Sequence, residues 1–196
     1  TVLIFDSVGH GLSTRSHDPI DQEIERRAAV VKALADSAGA DRYGFLGFSL
    51  GGRVGFELAA SSPDRLSVLA IGGMHLLPPS VEKDRFERRI RVLRSGRARS
   101  IERPVGERPG NDPLALAASH EALLRWRGAA GRLARHQAPT MLFCGEEDRY
   151  FANAKETAVA LGFAFSALAD TDHDDTFFAS GLAVRAVADF MRDHLK

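Results

Sequence analysis

Gly47-Phe48-Ser49-Leu50-Gly51-Gly52 is the stretch on which the reading of this chain turns. Ahead of it, Tyr43-Gly44-Phe45-Leu46 is apolar and partly aromatic, which predicts a short buried strand. Behind it, Val54, Leu58 and Ala59 recur at helical spacing until Pro63 stops the run. A serine at a strand-to-helix switch, with glycine two before and two after, fits a nucleophile elbow. Such a turn strains the serine backbone and points its Oγ outward. Side chains at Gly47 and Gly51 are expected to collide with the neighbouring strand and helix, and the backbone N–H of Leu50 is expected to face any oxyanion that forms. Other glycine-rich turns fit less well. A dinucleotide fingerprint has a different glycine spacing and an acidic residue further on, and a P-loop needs a Lys-Ser or Lys-Thr pair that is absent here. A plain glycine-rich turn with an incidental serine stays open as the alternative.

On either side, strands and helices alternate. Val2-Leu3-Ile4-Phe5 is a continuous apolar run, which predicts a parallel strand covered on both faces. It leads into the glycine-punctuated loop Asp6–Ser13, where His10 shapes the turn or serves as a base or ligand. Asp18-Pro19 supplies a cap and a first-turn proline for a helix with Ile20, Ile24, Ala28, Val31 and Leu34 on one face, closed by Gly39. After the elbow helix, Leu66 to Ile71 predicts another buried strand ending at Gly72-Gly73. This order predicts an α/β fold, a mostly parallel sheet flanked by helices.

Met74 to Gln137 interrupts the rhythm with helices over roughly 80–94 and 112–135 around a polar middle. An insertion here reads as a helical lid or cap, giving core segments 1–75 and 138–196 around a cap at 76–137. The run Arg85, Arg88, Arg89, Arg91, Arg94, Arg97, Arg99 could meet an anionic partner, but Glu82, Asp84, Glu87 and Glu102 interleave with it, which favours a solvated face. Trp126 reads as packing in preference to substrate contact. Thr140 to Cys144 is the next predicted strand, running into Gly145-Glu146-Glu147-Asp148-Arg149-Tyr150. A helix around Lys155 to Leu161, a strand from Phe163 to Leu168, and the loop Ala169–Asp175 follow. A final helix is expected to bury Phe177, Leu182, Val187 and Phe190.

Composition narrows the classes. The 196 residues allow one domain with a sizeable core, and 26 basic side chains balance 26 acidic ones. No global field then recruits nucleic acid or an anionic membrane, and no apolar run reaches spanning length. Cys144 is the only cysteine, which excludes an internal disulfide and makes a reducing, cytoplasmic compartment the expectation. Thr1 stands where an open reading frame would place methionine and leads straight into Val2–Phe5, so the chain reads as cut from a longer one.

Three loops thus fall at carboxyl ends of strands: Ser49, then Asp148, then His173. Sites in open parallel sheets gather at that edge. Serine needs a base to take its proton, histidine suits that task near neutrality, and a carboxylate fixes the imidazole tautomer. The chain resembles the alpha/beta-hydrolase superfamily at Asp6-x-x-Gly9-His10-Gly11-x-Ser13, at Gly47-Phe48-Ser49-Leu50-Gly51-Gly52, at Gly145-x-x-Asp148, and at His173 ahead of Phe177-Phe178. The resemblance implies a catalytic triad of Ser49, Asp148 and His173, an oxyanion donor at Leu50 N–H, and no cofactor. The implied reaction is hydrolysis of a carboxylic ester, lactone or related small acyl substrate through an acyl-enzyme. Acyl transfer and carbon–carbon bond hydrolysis use the same triad, and a non-catalytic protein binding a small ligand in the same pocket is the rival reading. Serine at the elbow argues against the family's epoxide hydrolases and haloalkane dehalogenases, which carry aspartate there.

Glu146 or Glu147 could replace Asp148 as the acid, although the family loop places the acid three after the glycine. Asp170, Asp172, Asp174 and Asp175 around His173 also suggest a divalent metal, but without calcium-type loop spacing, so no metal is expected. His17, His75, His120, His136 and His194 read as exposed or structural. The family's first strands and second oxyanion donor lie ahead of the Asp6 loop. The chain alone is therefore expected to lack those strands, to be an incomplete catalytic unit and to associate. Val2–Phe5 and Tyr43–Phe48 should either pair directly or leave open edges.

Overall fold

In the computed structural model, residues 1–96, 110–178 and 181–195 are described; Arg97, Arg99, Glu102 and the polar middle around them lie outside that set. The chain divides into two compact units. Unit one combines Thr1–Val30 with Pro78–Arg127, and unit two combines Val31–Leu77 with Gly128–Lys196.

Unit two is built on a four-stranded parallel sheet. Its strands, β1 (Tyr43–Phe48), β2 (Leu66–Gly72), β3 (Thr140–Gly145) and β4 (Ala164–Leu168), stand side by side in chain order. Parallel neighbours need crossovers, and helices supply them. These are α2 (Leu50–Ser61) between β1 and β2, and α5 (Phe151–Leu161) between β3 and β4. The alternation of side chains along a strand separates the two faces of β2. Ala70 packs with Met141, Phe143 and Leu168 against Ala183 and Val187 of α7 (Gly181–His194). Leu69 and Ile71 point the other way, toward α2, where a Cβ on Gly55 would lie 3.2 Å from each. Leu69, Ile71 and Leu142 are fully buried, and each contributes about 1.5–3 kcal/mol. β2 and β3 are central and read as continuous apolar runs for that reason.

Unit one is helical. A 3-10 turn (Pro19–Gln22) is capped by Asp18, whose carboxylate accepts from Ile20 N–H. Glu23 is extended, and α1 (Ile24–Ser37) begins after it; the division between the units falls inside this helix. α3 (Lys83–Arg94) packs on α4 (Pro113–Arg125) through Ile90, Leu93, Leu116 and Ala117. Arg27 is buried beside the turn, and burial pulls its guanidinium down to about 10. Its donors reach Gln22 O, Gln22 Oε1, Ser119 Oγ, Val8 O and Ser7 Oγ, all neutral acceptors. This one side chain ties the 7–8 loop and the 3-10 turn to α4.

Four expectations need correction. Val2–Phe5 forms no β-bridge and is exposed, with Val2 at 83% and Ile4 at 93% of full accessibility. An apolar run becomes a buried strand only when a neighbouring strand accepts its amides, and none among the described residues does; β1 is likewise an edge strand of the described sheet, with Leu46 exposed. The helix expected from Asp18 to Gly39 breaks at Glu23, so Ile20 is exposed and the buried stripe is Ile24, Ala28, Val31 and Ala35. The helix expected over 112–135 ends at Arg125, and Gly128 and Gly131 turn the chain beyond it at φ 78° and 74°. The single final helix is two, α6 (His173–Phe178) and α7, and Phe177 is exposed.

Candidate active site

The elbow follows from where β1 stops. Ser49 N–H donates to Gly72 O at 2.9 Å, so the last contact between β1 and β2 fixes the serine itself. Ser49 caps α2 at φ 52° and ψ −109°, a conformation that costs a non-glycine residue about 1–3 kcal/mol. A Cβ on Gly47 would lie 2.2 Å from Gly51 O, which explains why only glycine fits there. The collision expected at Gly51 does not occur, because a Cβ there meets nothing within 4 Å. Close approach falls instead on Gly52, whose Cβ would lie 3.0 Å from Ile71 Cγ2 of β2 and 2.8 Å from Met74 Cβ just beyond it. Positions 52 and 55 share the face of α2 that meets β2, and position 51 faces away. Leu50 is the first residue of α2, so its N–H has no acceptor within the helix.

The acid comes from the turn after β3. Asp148 N–H donates to Gly145 O at 3.1 Å and Glu147 N–H donates to Thr171 O at 3.0 Å, binding this loop to the one that carries the histidine. A Cβ on Gly145 would lie 2.2 Å from Thr171 O, so glycine lets the two loops touch. Glu146 and Glu147 are exposed, whereas the Asp148 side chain is fully buried. Asp148 Oδ1 accepts from Tyr150 N–H at 2.9 Å.

His173 opens α6. Its Nδ1 lies 2.7 Å from Asp148 Oδ2 and its Nε2 lies 2.9 Å from Ser49 Oγ. Since a carboxylate only accepts, Nδ1 carries the proton and Nε2 offers its lone pair to the serine hydroxyl. Burial pushes the Asp148 carboxyl up, but the bonds from His173 and Tyr150 N–H outweigh it and hold the group below the ordinary aspartate value. Burial also raises the neighbouring Cys144 thiol, helped by the Asp148 charge, so this thiol is not a nucleophile at neutral pH. Asp172 Oδ1 caps α6 by accepting from Asp174 N–H and Asp175 N–H, both at 2.8 Å. Among the described residues, no group of three or more His, Cys, Asp or Glu side chains could hold a metal.

The three residues singled out in the sequence thus meet within unit two. The packing that holds them was not foreseen. Phe48 lies against the imidazole at 4.9 Å between ring centres, and Tyr150 meets it edge-on at 5.3 Å. A Cβ on Gly73, at φ 55°, would come within 2.8 Å of Phe48 and 3.0 Å of His173. The paired glycines ending β2 were the available signal for this crowding. His75 is buried, accepts from Leu77 N–H and meets Tyr150 edge-on. His10 belongs to unit one, where its Nδ1–H donates to Val8 O at 3.2 Å. His17, His136 and His194 bond Asp112, Thr140 Oγ1 and Phe190 O.

Comparison with known proteins adds the family. A protein from Pseudomonas savastanoi pv. phaseolicola named "Putative carbamate hydrolase RutD" is 40% identical over 65 residues, which is 33% of this chain and 25% of that protein. The matched stretch spans about a quarter of that relative's length. The enol-lactonase from Burkholderia xenovorans LB400 superposes with TM-score 0.75 at 22% identity, covering 95% of this chain and 79% of its own. The thermophilic esterase from Thermogutta terrifontis gives 0.79 at 21%, covering 96% and 79%. At such identities these two show a shared fold. No helix among the described residues is long and apolar enough to cross a membrane. The family description "alpha/beta hydrolase fold" matches residues 1–111, more than half of the sequence, and the chain belongs to that family.

Proposed function

We propose that this chain carries the catalytic triad of a serine hydrolase that cleaves a carboxylic ester, lactone or related small acyl substrate. The observation that carries this reading is the unbroken relay from Ser49 Oγ through His173 to Asp148, at 2.9 and 2.7 Å, on a strained elbow. His173 Nε2 takes the serine proton as Oγ attacks the acyl carbonyl, and the same proton then passes to the leaving group. Asp148 keeps the imidazole in the required tautomer and stabilises the imidazolium. The free N–H expected at the first residue of α2, Leu50, donates to the developing oxyanion. Water then repeats the sequence on the acyl-serine. No cofactor has a part in this scheme. The solved neighbours named an esterase and an enol-lactonase are in keeping with acyl chemistry. A stopped-flow assay with p-nitrophenyl acetate tests the proposal. Release of p-nitrophenol that is lost in Ser49→Ala is the expected result, however slow; a rate unchanged by Ser49→Ala would overturn it.

A further inference from the structure

The basic run on α3 holds a feature that acyl chemistry does not use. Lys83 and Arg94 find carboxylates, Glu87 at 3.9 Å and Glu121 at 2.7 Å. Arg88 and Arg91 project into solvent. Arg85 and Arg89, one turn apart on the same side of the helix, have no ion pair or hydrogen bond among the described residues. Arg89 Nε is nonetheless buried without an acceptor. An unpaired donor in that position costs about 1–3 kcal/mol, and more when charged. Facing it on α4 is His120, whose ring meets Phe86 edge-on at 5.3 Å, so the imidazole lies against the helix segment that bears both arginines.

We propose that Arg85, Arg89 and His120 form a binding site for a small oxyanion, a phosphate or carboxylate group, within unit one. Arg89 supplies the inner donor and Arg85 the solvent-facing one. His120 Nδ1–H is committed to Leu116 O at 2.7 Å, which leaves Nε2 for the ligand. Nε2 donates only when the ring is protonated, so anion binding takes up a proton at His120. The charges around it fit that coupling. His120 is held below the ordinary histidine value, first by burial and then by the positive charges of Arg89, His10 and Arg85, against the opposing pull of the Leu116 carbonyl. The carboxylate next in sequence, Glu121, is already paired with Arg94. An oxyanion seated between the helices reverses the sign of the nearest charge and raises the His120 pKa.

The test follows the His120 Cε1–H resonance against pH in chloride, and again with inorganic phosphate or succinate at matched ionic strength. The His120 midpoint is expected to rise by roughly half a pH unit with the bound anion, while that of His194 stays put. Arg89→Gln should raise the midpoint in chloride and abolish the anion response. Arg85→Gln, at an exposed position, does the same more weakly and serves if Arg89→Gln fails to fold. A response to phosphate alone, to succinate alone, or to both assigns the ligand class. No response to either anion beyond that of His194 overturns the site. Because the readout is a resonance and not turnover, the result stands whether or not Ser49 is a nucleophile.

Discussion

The two units place their charged side chains differently. In unit two, buried carboxylates meet cations or imidazoles. Glu57 accepts two bonds from Arg132, at 2.8 and 2.6 Å, and Asp148 accepts from His173. In unit one, the buried cation Arg27 is satisfied by neutral oxygens, and Arg85 and Arg89 meet no carboxylate among the described residues. Paired charge in a dry setting fixes geometry, which a proton relay requires. Unbalanced positive charge at a helical surface leaves affinity for an anion available. The difference is in keeping with the two proposals made above, chemistry in the sheet unit and anion recognition in the helical one.

The largest expected effect comes from breaking the pair that orients the base. Asp148→Asn preserves shape but can present an N–H to Nδ1 and so favour the wrong tautomer. Turnover is expected to fall about 10⁴-fold with folding intact. Steady-state kinetics beside circular dichroism checks this; a loss below tenfold would mean that His173 needs no orienting carboxylate.

Next come the elbow glycines, which isolate a steric constraint. Gly47→Ala drives a methyl into Gly51 O and should cost about 3 kcal/mol, whereas Gly51→Ala should lie within about 1 kcal/mol of the parent. Urea unfolding of both variants decides it, and equal costs would contradict the geometry of the turn. Arg132→Met removes the two hydrogen bonds that the arginine donates to the buried Glu57 carboxylate. Because the arginine is half exposed, the expected loss is about 2 kcal/mol, less than for a fully buried pair.

The smallest effect is a slope. The Asp148 carboxyl is held below its unfolded value, so the unfolded chain binds more protons in the acid range. Its contribution to stability is therefore present at neutral pH and lost as pH falls through the folded value. Asp148→Asn should flatten the acid limb of a Tm-against-pH curve. An unaltered limb would show that the carboxyl titrates as in the unfolded chain.

What could be read from the sequence was whatever is written locally. The four ladder strands are short apolar runs bounded by glycine or turn residues, and Ser49, Asp148 and His173 sit at loops that such runs position. Val2–Phe5 carries the same local pattern, yet strand formation depends on a neighbour, which no run of residues declares. Gly51 and Gly52 are equivalent in a motif and differ only in which side of α2 each occupies. Phe48, Gly73 and Tyr150 come from three separate segments, and their contact with His173 exists only after the loops meet. Arg85 and Arg89 were visible as residue types, but that neither has a carboxylate partner among the described residues was not, because the interleaved acidic residues suggested an ordinary solvated face.

Covalent labelling tests the central claim most directly. The protein is treated with a fluorophosphonate, and the modified peptide is mapped by mass spectrometry. One adduct on Ser49 Oγ, lost in Ser49→Ala and slowed at least about a hundredfold in His173→Gln, is the predicted result. A correctly folded protein that stays unlabelled, or carries its adduct elsewhere, would contradict the account.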